Sequence, residues 1–232
     1  MSLTDINFEA IQKETSVSWP GIEHLRAACL GLVIFDLETL SPEEEGLFTT
    51  RELEKFLRMG RQRRKSFKAA RVALKILSRR LGLIKKEVPD YAIETLGPDN
   101  LKPCLAESGL YCSVSHSSRF VVAVAHRHPV GVDIEGVSDR IQRIQHIFLS
   151  PGESQMISQS GLDFQVAATL VWSIKEAAAK ALGLHLFQAV REVRVVKMGK
   201  EESSIRVQEK TYPARHIQGH GQVIALVTID DL

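Results

Sequence analysis

Residues 119–135 set the tightest limit on the fold. Arg119 to Ala125 (RFVVAVA) is a short β-branched run and reads as a buried strand. His126-Arg127-His128-Pro129 is a turn, and Val130 to Glu135 (VGVDIE) is the next strand. So short a connection predicts that the two strands form a hairpin. In the second strand Val130, Val132 and Ile134 alternate with Gly131, Asp133 and Glu135. Asp133 and Glu135 therefore share one face, and Ile134 turns to the core. Downstream, Val166 to Leu182 reads as a helix ending near Gly183. Together these segments predict an α+β or mixed α/β fold.

The rest of the chain supplies further elements. Ala27 to Phe35 is the longest apolar run and reads as a buried strand, far short of the ~20 residues a membrane span needs. Thr4 to Glu14 suits a short helix or an ordered tail. Ser41-Pro42-Glu43-Glu44-Glu45 and Ser150-Pro151-Gly152-Glu153 both look like helix starts, with a Ser N-cap and Pro at the first helical position. Arg51 to Leu81 has helical periodicity, with Phe67, Ala70, Leu74, Leu77 and Leu81 on one face and Gly82 as a stop. Val88 to Cys112 is loop-rich. Val190 to Val196 and Val223 to Ile229 read as late strands, and a domain junction is expected near the His126 to Val130 turn. No internal sequence repeat stands out.

Composition enters through charge. The formal net charge is +2, which by itself points away from a polyanionic ligand. Its distribution points the other way. Lys55 to Lys86 holds 13 of the 30 Lys and Arg and no acid, leaving 17 bases against 28 acids elsewhere. Arg64, Lys68, Arg71 and Lys75 fall at i, i+4, i+7 and i+11, one basic stripe expected to bind polyphosphate. Three cysteines, Cys29, Cys104 and Cys112, form neither a disulfide framework nor a zinc motif, so reduced thiols in the cytoplasm are expected. The opening residues carry no secretory signal pattern.

Two constellations carry chemistry. Asp133 and Glu135, at i and i+2, repel unless neutralised, and a hard divalent cation with oxygen ligands does that. On the later helix, Thr169, Ser173, Glu176 and Lys180 form one polar strip in an otherwise apolar surface. Glu176 and Lys180, an i, i+4 pair, suit either a surface salt bridge or acid/base and metal work. A smaller element is SVSHS at 113–117, where His116 flanked by hydroxyls can hold a phosphate. No GxSxG elbow surrounds these serines.

The pieces Lys102-Pro103-Cys104, SVSHS at 113–117, GVDIE at 131–135, FLSPGE at 148–153 and WSIKEAAAKA at 172–181 resemble the 4′-phosphopantetheinyl transferases. The likeness is to the long, single-chain type that activates surfactin synthetase, and it runs from about Arg61 to Gly183. It implies a pseudo-dimer of two similar α+β halves, near 1–128 and 129–232, with the active site in the cleft between them. It implies transfer of the phosphopantetheine arm of coenzyme A to a serine of an apo acyl or peptidyl carrier protein, with Mg²⁺ and release of adenosine 3′,5′-bisphosphate. By the same resemblance, Asp133, Glu135 and Glu176 would hold Mg²⁺. Glu176, or a water near it, would be the base, and Lys180 would meet the phosphate and assist the leaving group. Lys175 would also face the phosphates, although it sits about 100° from Glu176 on the helical wheel. His116 and Ser115 would meet the 3′-phosphate, Lys102 and Pro103 the adenine and phosphate pocket, and Arg64 and Arg71 further phosphates. Fatty-acid, polyketide, peptide-synthetase and siderophore carriers are all open.

Two rival readings differ in class. A nucleic-acid module would use the Lys55 to Lys86 helix and bind with steep salt dependence, but it has no aromatic platform and leaves the three carboxylates unexplained. A non-catalytic carrier-binding relative would have no use for a metal cage. The expected protein is therefore a cytoplasmic monomer that binds neither nucleic acid nor membrane.

Overall fold

The computed structural model describes residues 17–40, 46–98, 102–105 and 108–230, apart from the side chain of Gln62. The readings made for Thr4 to Glu14 and for the helix start at Ser41 to Glu45 lie outside the described residues. In chain order the elements are α1 (Ile22–Arg26), β1 (Gly31–Asp36), α2 (Thr50–Leu57), α3 (Arg61–Arg80), β2 (Tyr111–His116), β3 (Phe120–His126) and β4 (Val130–Gly136). There follow α4 (Arg140–Phe148), α5 (Pro151–Gln159), α6 (Phe164–Leu182), α7 (Leu186–Glu192), β5 (Val193–Lys197), β6 (Glu202–Val207), β7 (Lys210–Gly219) and β8 (Gln222–Thr228). The chain divides into two compact units, one containing Leu30–Arg127 and the other joining Ser18–Cys29 to His128–Leu232.

The first unit has a three-stranded antiparallel sheet in the order β1-β3-β2. The β-branched run of β3 is buried because it is the central strand. Its core joins Val33, Phe35, Val121 and Ala123 to Ala69, Ala73, Leu74 and Leu77 of α3. The helical pattern over Arg51 to Leu81 is two helices. Gly60 is the N-cap of α3, and the Arg64 guanidinium bridges the corner by donating to Met59 O and Leu57 O, both at 3.1 Å. The expected basic stripe is a second correction. Lys68, Arg71 and Lys75 are 7%, 5% and 0% exposed. Arg71 and Lys75 turn inward to acceptors that wait there, among them Glu52 and the main chain at Leu47, Asp90 and Thr95. A helical wheel shows none of these partners.

The second unit has a five-stranded antiparallel sheet in the order β4-β8-β7-β6-β5. The expected β3–β4 hairpin does not form. Both edges of β3 are taken by β1 and β2, so β4 pairs with β8 instead. Helix α6 lies on this sheet, and its Ala167, Leu170, Val171, Ile174, Ala177 and Ala178 form the core with Ala214, Ala225 and Val227. Ser150 and Glu153 close a capping box at the start of α5, with Pro151 at the first helical position as the sequence predicts. Val190 to Glu192 belongs to α7, so the expected strand starts only at Val193.

The sheet registers of the two units match row by row. Gly31, Ala125 and Cys112 stand side by side in one; Gly131, Val227 and Ala214 do so in the other. The sequence shows no repeat because few of these counterparts share a residue type.

Candidate active site

Glycine decides how close α6 comes to β4. A Cβ on Gly131 would lie 1.8 Å from Ala177 O and 2.7 Å from Ala181 N. Only glycine fits there, and only a small residue fits opposite, which explains one element of each motif in physical terms. This approach brings the carboxylates of β4 and α6 together. One oxygen each from Asp133, Glu135 and Glu176 lie within 4.8 Å of one another.

Each group has a distinct setting. Asp133 is 1% exposed. It accepts from Ser173 Oγ at 3.0 Å and from Lys180 Nζ at 2.8 Å, and Lys180 also donates to Val132 O at 2.9 Å. The buried charge is thus paired and hydrogen-bonded, as burial requires. Burial pushes Glu135 up to about 7, helped by repulsion from Asp133 and Glu176. Burial and Asp133 push Glu176 up to about 7 as well, opposed by Lys180. The Trp172 indole donates toward both glutamates and partly offsets the rise. Beside them lies a hollow of about 170 Å³, lined by Glu135, Arg140, Ile141, Ile144, Thr169, Trp172 and Glu176 among others.

Among the described residues this is the one cluster of three or more acidic, histidine or cysteine side chains close enough to share an ion. Its donors are all carboxylate oxygens, the set a hard divalent cation takes. Burial and mutual repulsion push two of the three up to about 7, and a cation would relieve the repulsion. The residues therefore fit a bound Mg²⁺.

The other site residues fall elsewhere. Lys175 does not join the cluster. It is 0% exposed and donates to Phe148 O at 2.7 Å, Glu153 Oε2 at 2.9 Å and Val190 O at 3.5 Å. This corrects the reading of Lys175 as a phosphate contact, since its ammonium is taken up by these buried acceptors. Arg71 is corrected for the same reason. It donates to Thr95 O at 2.7 Å and lies over the Phe67 ring. In the first unit Ser115 and His116 end β2, with Ser115 buried and His116 exposed. Lys102 is exposed, and Pro103 bridges Leu96. Arg64 lies half-buried over Phe56. The sequence reading placed Ser173 on the polar strip but gave it and Trp172 no role. It also missed the wall from α4. The polar strip holds a signal for Ser173; nothing local marks Ile141 or Ile144.

Residues 129–227 match the family described as the 4′-phosphopantetheinyl transferase superfamily (ACPS). Enterobactin synthase component D of Salmonella typhi is 30% identical over 152 residues, covering 65% of this chain and 61% of that protein. Enterobactin synthase component D of Escherichia coli strain K12 is 27% identical over 106 residues, covering 44% and 51%. The 4′-phosphopantetheinyl transferase gsp of Aneurinibacillus migulanus is 29% identical over 105 residues, covering 45% and 44%. The chain thus spans about half the length of the curated relatives it matches. The three carboxylates and Lys180 all lie in the segment that matches the 4′-phosphopantetheinyl transferase superfamily.

Proposed function

We propose that this chain transfers the 4′-phosphopantetheine arm of coenzyme A to a serine of an apo acyl or peptidyl carrier protein, releasing adenosine 3′,5′-bisphosphate. The observation that carries the reading is the convergence of Asp133, Glu135 and Glu176 beside Lys180 within the matched segment. The curated relatives include one named as a phosphopantetheinyl transferase and several named as enterobactin synthase components, which favours a siderophore or peptide-synthetase carrier.

Mg²⁺, held by Asp133, Glu135 and Glu176, would neutralise pyrophosphate charge as a Lewis acid. Glu176 is the proposed acceptor for the proton of the carrier serine, directly or through a water. Lys180 pairs with Asp133 at 2.8 Å and is the proposed proton donor toward the departing phosphate oxygen. Asp133 is the fixed point of the site, held by Ser173 and Lys180 from one helix. Ile141, Ile144 and Trp172 wall the hollow on one side of the carboxylates. In the first unit Lys102, Pro103, Ser115, His116 and Arg64 are the proposed contacts for the phosphates and adenine of coenzyme A. The chain is further read as the long single-chain type, a cytoplasmic monomer built as a pseudo-dimer. The matched sheet registers support that architecture. Among the described residues no helix is long and apolar enough to cross a membrane.

Incubation with coenzyme A, Mg²⁺ and a panel of apo carrier proteins tests the proposal by mass spectrometry. One or more carriers should gain the mass of the arm, and chelation should stop it. No gain on any carrier would sink the reading.

A further inference from the structure

Lys175 and Glu153 make a buried ion pair that touches no site residue, yet Lys175 immediately precedes Glu176. The Lys175 ammonium ties α6 to the end of α4 through Phe148 O, to α5 through Glu153 and to α7 through Val190 O. Glu153 in turn caps its own helix by accepting from Ser150 N at 2.8 Å, and it accepts from Val195 N of β5 at 2.9 Å. One pair of charges thus joins four elements to the helix that carries Glu176. One of the joined elements, α4, lines the hollow beside the carboxylates together with α6 itself. Phe148 also meets Trp172 edge to face, with ring centroids 5.1 Å apart.

The first unit holds the same device. Lys75 donates to Leu47 O, to Glu52 Oε2 at 2.7 Å and to Asp90 O at 2.9 Å. Glu52 accepts from Thr49 N at 3.1 Å in a capping box and from Thr95 N at 3.1 Å. Lysine, capping glutamate, the carbonyl two residues before the cap, a second carbonyl and a distant main-chain N–H all recur in the same roles. The first copy stands next to Ile76, where there is no carboxylate. A phosphate-binding role cannot account for a lysine that occurs twice, fully buried both times, with one copy beside an apolar residue.

We infer that Lys175, through Glu153, is a positioning residue. It fixes the separation and rotation of α4 and α6, and so sets the place of Glu176 in the carboxylate cluster. Lys75 with Glu52 is the same staple with no site to serve. The inference rests on the reading of the cluster as a metal site, and its test separates the two.

The pair K175M/E153Q removes both charges together, so no unpaired buried ion is left, and Gln keeps the capping box. K75M/E52Q is the matched control. Two readouts are compared in full-length protein without coenzyme A: Mn²⁺ affinity by electron paramagnetic resonance, and acrylamide quenching of tryptophan fluorescence. Trp19 is only 2% exposed, so quenching reports mainly Trp172. K175M/E153Q should bind Mn²⁺ about tenfold or more weakly, as for loss of an outer partner of a metal ligand, and its Trp172 should quench more readily. K75M/E52Q should keep Mn²⁺ affinity within about twofold and keep the parent's quenching. The inference falls if K175M/E153Q matches the parent in quenching, or if both variants loosen the site alike. A parent that binds no Mn²⁺ would count against the transferase reading alone; the quenching comparison would still decide this one.

Discussion

The two units share a scaffold and differ in what its rows carry. Where the first has Val33, Ala123 and Val114 side by side, the second has Asp133, Ala225 and His216. Where the first has Phe35, Val121 and His116, the second has Glu135, Val223 and Gln218. On the helix, Ile76 and Arg80 of α3 answer to Glu176 and Lys180 of α6. The spacing differs too. A Cβ on Gly31 would meet the Leu77 side chain at 2.7 Å and the Leu81 side chain at 3.0 Å, whereas one on Gly131 meets helix backbone. The first unit therefore fills the strand–helix seam with leucine, and the second narrows it until main chain nearly touches main chain. The seam bears apolar side chains in one unit and carboxylates in the other, while the staple is the same. Fold and chemistry are thus separable, and the comparison can be broken at each level.

The largest effect is expected in the chemistry. Glu176→Ala should lower transfer by about a thousandfold or more, because it removes the proposed oxygen ligand and the proposed base together. Ile76→Ala should leave transfer within about twofold and instead cost about 2–5 kcal/mol of stability. Steady-state assays and urea titrations of both variants check this. Unfolding of Glu176→Ala would mean the cluster is structural. Asp133→Ala should behave like Glu176→Ala in activity.

The seam comes next. Gly131→Ala forces a methyl against a carbonyl, and about 3 kcal/mol or more is expected. Gly31→Ala pushes flexible leucine tips and should cost about 1 kcal/mol. Equal losses of melting temperature would remove the argument that the second seam is the tighter.

His216 provides a pH test. It is 0% exposed, bonded to Ser203 through Nε2 at 2.9 Å, and burial lowers its pKa to about 4. The folded state thus favours the neutral ring. Stability from this group is complete above the unfolded value of ~6.5 and is lost as pH falls from there toward 4, by about 3 kcal/mol in all. Urea midpoints at pH 7.5 and 5 should show it, and His216→Val, which copies Val114, should flatten that slope.

The smallest effect concerns the cation itself. Glu135 and Glu176 both have pKa values raised to about 7. Their protonated forms stabilise the fold below the unfolded value of ~4.3, and that contribution is lost as pH rises toward 7. Mg²⁺ should therefore raise the melting temperature by a few degrees at pH 8 and by less at pH 5.5, as protons compete for the same oxygens. A pH-independent shift would place the cation elsewhere.

Much of the second seam was legible because both of its sides are local. Period-two alternation puts Asp133 and Glu135 on one face, and the helical wheel puts Ser173, Glu176 and Lys180 on one strip. The basic stripe misled for the opposite reason. A wheel reports which residues share a face and not what faces them. Arg71 and Lys75 are taken up by acceptors far along the chain, at Thr95, Glu52 and the Asp90 carbonyl. Lys175 failed in the same way, through Glu153. The β3–β4 hairpin was misread because short connections usually pair neighbours, and here both edges of β3 were already occupied.

Ser18–Cys29 packs with the second unit although the chain then leaves to build the first. Within that unit Trp19 meets His220 edge to face at 5.1 Å, and a Cβ on Gly219 would lie 3.0 Å from the Trp19 ring. Leu25, also of this segment, is buried. The body that holds the carboxylates is therefore discontinuous in sequence, and a fragment cut at the boundary of the family match would leave a bare patch where Trp19 belongs. A trimmed version meant to keep this body should graft residues 18–29 back on, since the unit is not a contiguous stretch of the chain.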